Sequence, residues 1–110
     1  MRFESAKELI GQFYELNELN TSACQIIINK LFDDENAFFI ALKGDDETCF
    51  LTDFAKTCEL VDISESELKS SAYKFGLGFD NYYVKKEFND LEDLKNFIMF
   101  LDFISENFNN

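Results

Sequence analysis

The feature that most constrains this chain is a change in its hydrophobic period. Between residues 24 and 51 the apolar residues come as three short runs, around Ile26-Ile27-Ile28, Phe38-Phe39-Ile40 and Cys49-Phe50. Each is rich in β-branched or aromatic side chains, which suit a pleated and half-buried surface. Strands are therefore predicted over 24–31, 37–42 and 48–51. Asp33-Asp34-Glu35-Asn36 and Gly44-Asp45-Asp46-Glu47 separate them. Asp, Asn and Gly favour turns because their backbones tolerate the tight conformations a reversal needs. The pattern predicts a three-stranded antiparallel meander.

On both sides of this region the period is helical. Phe3, Ala6, Ile10, Phe13 and Tyr14, widened by Leu9 and Leu16, place an apolar stripe on a helix over 3–17. Asn20-Thr21-Ser22 interrupts it. After Asp53, the residues Phe54, Cys58 and Val61 suit a short helix or an irregular turn. Ser64 and Glu67 have capping-box spacing, with Ile63 placed to staple against Leu68. That helix would bury Leu68, Ala72 and Phe75 and stop at Gly76. Short strands over 77–79 and 82–85 flank Asp80-Asn81, which predicts a second, small hairpin. Asp90 opens a last helix bearing Leu91, Leu94, Phe97, Ile98, Leu101, Ile104 and Phe108. A face this broad either fills the core or meets another chain. The expected class is α+β: a small antiparallel meander and a short hairpin packed against N- and C-terminal helices. No linker or repeat divides residues 1–110, so one acidic domain is expected.

Composition supports a packed core. Hydrophobic residues make up 46% of the chain and Phe occurs 14 times, whereas acidic disordered chains are poor in aromatics. The absence of His removes the commonest general base and metal ligand. It also excludes Ser-His and Cys-His nucleophile pairs. Cys24, Cys49 and Cys58 form no C-x-x-C pair, which reads as reduced, buried thiols in a cytoplasmic protein. Met1-Arg2-Phe3-Glu4 brings acids early with no apolar run behind it, so no secretory leader is expected, and no apolar run approaches the ~20 residues a membrane helix needs.

Charge points to a class of partner. The formal net charge is -12, and eleven acids against Lys43 and Lys56 place -9 of it between residues 31 and 67. The acids are Asp33, Asp34, Glu35, Asp45, Asp46, Glu47, Asp53, Glu59, Asp62, Glu65 and Glu67. A field this one-sided repels nucleic acid and anionic membrane, and attracts basic protein surfaces. In a meander the two acidic turns lie at opposite ends of the sheet, about 20 Å apart at ~3.4 Å per residue. Asp53 returns toward Asp33–Glu35, and Glu59 and Asp62 join it. Such an array can imitate duplex phosphates, which place one charge per ~1.7 Å of axis. The competing explanation is ordinary: acidic turns are common, and net charge keeps a Phe-rich protein in solution.

No other constellation carries chemistry. Neither Asp33-Asp34-Glu35 nor Asp45-Asp46-Glu47 has the alternating order of a calcium loop. A two-metal nuclease around Asp53 and Glu59 would need basic groups for phosphate that this region lacks. Gly76 and Gly78 fit a cap and a turn. Tyr82-Tyr83 with Lys85-Lys86 is a local basic and aromatic group, read as one strand with solvent-facing lysines. No catalytic residue, cofactor site or metal site is assigned.

Three stretches resemble a known family. Asn29-Lys30-Leu31-Phe32-Asp33-Asp34 leads to the run Phe38-Phe39-Ile40-Ala41-Leu42. Phe50-Leu51-Thr52-Asp53 is like a family strand that ends in Leu-Thr-Asp. Lys74-Phe75-Gly76-Leu77 leads to Asp80-Asn81 and a long final helix. Over about two thirds of its length the chain thus resembles small bacterial and prophage proteins of unknown function, domain of unknown function 1828. The family's Asp-Gly after Leu-Thr-Asp is Phe54-Ala55 here, and its Pro-Phe is Leu31-Phe32. The resemblance implies a similar α+β fold and a mobile-element origin, and it implies no activity.

The combined expectation is a cytoplasmic, non-catalytic binding module of phage or mobile-element origin. It would occlude a basic nucleic-acid-binding effector by DNA mimicry, in the manner of an anti-CRISPR or anti-restriction protein. The alternative is a structural or regulatory module, a homodimer through the apolar face of the last helix.

Overall fold

A computed structural model of the protein describes residues 1–28 and 38–108. Along them run α1 (Phe3–Gly11), β1 (Glu15–Asn20), β2 (Ala23–Ile27), β3 (Ala41–Gly44) and β4 (Cys49–Thr52). There follow α2 (Thr57–Leu60), α3 (Glu65–Lys74), β5 (Gly78–Asp80), β6 (Tyr83–Glu87) and α4 (Leu91–Phe108). The strands make one sheet in the order β1-β2-β3-β4-β6-β5, with every neighbouring pair antiparallel. The fold is α+β. The Asn29–Asp34 motif and the acids Asp33, Asp34 and Glu35 lie outside the described residues.

The sheet is larger than the sequence pattern predicts, because two elements differ. The first helix does not reach residue 17. It stops at Gly11, and Glu15–Asn20 is an edge strand paired with β2, with an irregularity between Glu18 and Asn20. Leu16 continues the helical period of the sequence, but on the strand it packs against the core from the edge. The open edge of apolar β2 captures this segment, and two Asn residues lower its helix preference. The small hairpin also does not stand apart. β6 hydrogen-bonds to β4 with Phe50 opposite Glu87 and Thr52 opposite Lys85, which joins both hairpins into one sheet.

Boundaries move at two further places. β3 covers Ala41–Gly44 and not 37–42, although Phe38 and Ile40 are buried as a strand's inward residues would be. Gly44 opens the turn into β4, where a Cβ would lie 2.4 Å from Cys49 Cβ and from the Thr48 carbonyl oxygen. Only glycine allows the strands to approach so closely. The β5–β6 turn is centred on Asn81-Tyr82, not Asp80-Asn81, with φ of 53° and 70°. Those angles suit the mirror-image turns that hairpins prefer. Tyr82 accepts its strain with its ring edge-on to Phe79 at 6.2 Å.

Helix ends follow the sequence closely. Ser64 Oγ accepts the Glu67 N–H at 3.2 Å, and Glu67 returns to the Ser64 N–H, also at 3.2 Å. At the far end Gly76, with φ of +75°, closes α3. The Gly76 N–H reaches the Tyr73 carbonyl and the Leu77 N–H reaches Ala72, a Schellman ending. Asp90 caps α4 through the Glu92 N–H, while Asp93 accepts from the Asn89 and Asp90 N–H groups.

α1, α3 and α4 pack on one face of the sheet. Cys24, Ile26, Ile40, Leu42, Cys49, Leu51 and Val84 point into that layer. Leu94, Phe97, Ile98, Phe100, Leu101 and Ile104 of α4 meet them. The broad apolar face of the last helix is thus absorbed within the chain. Phe103 is half-buried against Phe75 and Phe108, and the Lys74 ammonium lies 4.9 Å from the centre of its ring. All three cysteines are free, and burial raises the pKa of each.

Candidate functional site

The described acids among those singled out in the sequence separate into two groups at opposite ends of β4. One end carries the β3–β4 turn. Asp45 Oδ1 accepts the Glu47 and Thr48 N–H groups at 2.9 and 3.1 Å, which lowers the pKa of its carboxyl. The Asp45 carbonyl takes the Phe3 N–H and so fastens α1 to the turn. Asp46 and Glu47 remain exposed. Sheet pairing adds Glu87, which accepts from the Thr48 hydroxyl at 3.1 Å. Sequence distance hid this acid, since it lies 39 residues from Thr48.

The other end holds Asp53, Glu59, Asp62, Glu65 and Glu67. Here Asp53 must be corrected: it is completely buried and cannot touch a partner. Its Oδ1 accepts the Ala55 N–H at 2.9 Å and the Val84 N–H at 3.0 Å, tying the chain after β4 to β6. Burial raises its pKa above the ordinary carboxylate value, against the opposing effect of Thr57, Val84 and Ala55. Neither Asp53 Oδ2 nor the Thr57 hydroxyl, also buried, completes a hydrogen bond among the described residues. Glu67 is engaged in its capping box, and Glu59 lies 3.7 Å from Lys56. Glu65 lies beside Tyr82 and raises the pKa of that phenol. Asp62 is exposed. Between Glu47 and Asp53 the strand spans about 20 Å.

Leu51-Thr52-Asp53 proves to be a turn-building device. The Thr52 hydroxyl accepts the Phe54 N–H at 3.2 Å, as Asp53 accepts that of Ala55. The two acceptors hold Phe54 and Ala55 at φ of 50° and 60°. Left-handed backbone costs a non-glycine residue about 1–2 kcal/mol, so two in succession store appreciable strain.

Past this turn lies a groove that the sequence did not reveal as one site. Lys43 pairs in register with Phe50, and Thr52 with Lys85. Together with Phe54, Asp80, Asn81 and Tyr83 they line a cavity of about 260 Å³. Alternation along the strands puts these residues on the face opposite the buried Leu42, Leu51 and Val84. The Lys43 ammonium lies 5.8 Å from the centre of the Phe54 ring, which also packs on Phe39. Lys85 reaches Asp80 at 3.5 Å. A second, more apolar groove of about 570 Å³ runs beside α4, with Phe13 and Met99 exposed along it.

Among the described residues no group of three or more acids or cysteines is placed to hold a metal ion, and no helix is long and apolar enough to cross a membrane. Comparison with family models, with curated proteins and with solved structures returns no match for this chain.

Proposed function

We propose that this protein is a non-catalytic acidic binding module that docks on the basic surface of a nucleic-acid-binding protein and occludes it. The observation that carries this reading is the convergence of exposed carboxylates from separate segments. Asp46 and Glu47 of one hairpin share an end of the sheet with Glu87 of the other. Asp62 and Glu65 stand toward the opposite end. Carboxylates held on short turns and strands cost little side-chain entropy when a cationic partner orders them. Two such groups about 20 Å apart can meet a groove built for duplex phosphates. The net charge of -12 favours fast encounter with such a groove and disfavours nucleic acid itself.

The finer reading is a phage or mobile-element inhibitor of a host defence nuclease, anti-CRISPR or anti-restriction in kind, acting in the cytoplasm. Its support is the family resemblance together with small size and charge. For the alternative dimer through the last helix, Phe97 and Phe100 are inside the chain's own core, while Phe103 is half-buried and Met99 exposed.

Capture from bacterial lysate at low and high salt tests the docking reading, followed by elution with duplex DNA. The expected partner binds DNA by itself, is released by salt and by duplex, and is lost when Asp46, Glu47 and Glu87 are changed to Lys. Salt-resistant capture of a protein that does not bind DNA, unaffected by those changes, would overturn it.

A further inference from the structure

The geometry points to a second binding site, for a single nucleotide, in the groove on the face of the sheet opposite α1, α3 and α4. It borders the end of the sheet that carries Asp53 and Glu65, and its proposed ligand contacts are other residues. Lys43 and Lys85 stand on β3 and β6 with β4 between them. Strand spacing and register put their Cα atoms about 12 Å apart. That is a span over which two lysine side chains can close on one phosphate. Phe54, already packed on Phe39 and under the Lys43 ammonium, and the exposed Tyr83 line the same cavity and supply its aromatic surface. Aromatic faces take bases with little sequence preference, and cations beside them add to the attraction.

Three observations make this more than a surface groove. Lys43 belongs to a chain with 22 acids, yet among the described residues its ammonium is set over the Phe54 ring and has no carboxylate partner. The Phe54 ring borders the cavity from a turn in which two consecutive residues hold left-handed backbone, pinned by Thr52 and Asp53. Strain of that kind concentrates where a side chain must be aimed. Asp80 pairs with Lys85 at 3.5 Å and holds that ammonium at the groove, and Asn81 completes the lining with an acceptor and donors suited to sugar hydroxyls or an exocyclic amine. The cavity, at about 260 Å³, suits one nucleotide better than a strand. An extended polyphosphate would also meet the acidic ends of the sheet, whereas a monophosphate presents a short, compact charge.

Titration of the full chain with adenosine 5′-monophosphate, followed by amide NMR, tests the site. Adenosine, inorganic phosphate and a single-stranded oligonucleotide serve as separate probes. Shifts should cluster at Lys43, Phe50–Phe54 and Asn81–Lys85, with adenosine and phosphate each at least about tenfold weaker than the nucleotide. Lys43→Gln and Lys85→Gln should each weaken the nucleotide by about tenfold and leave adenosine unchanged. Phe54→Leu, checked to melt as a folded protein, should weaken both. Absence of shifts in the groove at about 10 mM nucleotide would overturn the proposal. So would phosphate binding as well as the nucleotide, an oligonucleotide binding more tightly than the monomer, or either lysine variant binding like the parent.

Discussion

Asp53 is the residue whose burial most changes how this chain is understood. As a string of letters it belongs with the acidic surface; folded, it is an interior anchor for the Phe54-Ala55 turn and for β6. Its pKa is raised by burial, so across the interval above the ordinary carboxylate value the native state holds a proton that the unfolded chain has released. Stability contributed by this group is therefore full in acid and declines as pH rises through that interval. Asp53→Asn keeps an oxygen for the Ala55 and Val84 N–H groups and offers an amide to the Thr57 hydroxyl. The variant is expected to melt at or above the parent at neutral pH, with the advantage shrinking toward acid. Paired thermal melts across pH 4–8 measure that difference, in which the other carboxylates cancel. An advantage that grows toward acid would contradict the assignment.

Among the elements, α3 shows how local chemistry and packing divide the work. Its buried stripe is thin, with Leu68, Ser71 and Ala72 inward. The caps at both ends therefore matter more than they would for α4, which buries six large or branched residues. Ser64→Ala removes the capping box, and its expected cost is about 1 kcal/mol. A chemical-denaturation midpoint shifted without a change in slope would register that loss. An unchanged midpoint would mean that tertiary contacts alone hold the helix end. By contrast, α4 is anchored through Phe97 and Phe100, packed edge to face at 6.0 Å. Truncating either to Ala is expected to cost about 3–5 kcal/mol through cavity formation. Both variants should be less stable by that amount in denaturant titrations, with no dependence on protein concentration. A concentration-dependent loss would revive the dimer.

At the scale of the whole molecule, charge and fold oppose each other. A chain at -12 with a Cα radius of gyration of 13.2 Å confines like charges in a small volume. Self-repulsion of this kind destabilises the compact state and is screened by salt. The melting temperature is therefore expected to rise with ionic strength, by roughly 2–5 °C between 0.01 and 0.15 M. Calorimetry in a neutral salt checks this. A fall in melting temperature would show that ion pairs such as Lys7–Glu18, Lys56–Glu59 and Lys85–Asp80 outweigh the repulsion.

The α+β class, the capped helix ending at Gly76, the long apolar last helix and the acidic turn at Asp45–Glu47 are all legible in the order of residues alone. These rest on local rules: period, capping spacing and turn preference act within a few residues and need no distant partner. Long-range pairing makes Glu15–Asn20 a strand, takes Asp53 inside and brings Glu87 to the first acidic turn. The same pairing brings Lys43 and Lys85 into one groove with Phe54 and Tyr83. The physical reason is common to all of these. β4 pairs with β6 across more than thirty residues of chain, and an edge strand takes its conformation from its neighbour, so strand order, burial and cross-strand company are set by contacts that no local pattern encodes.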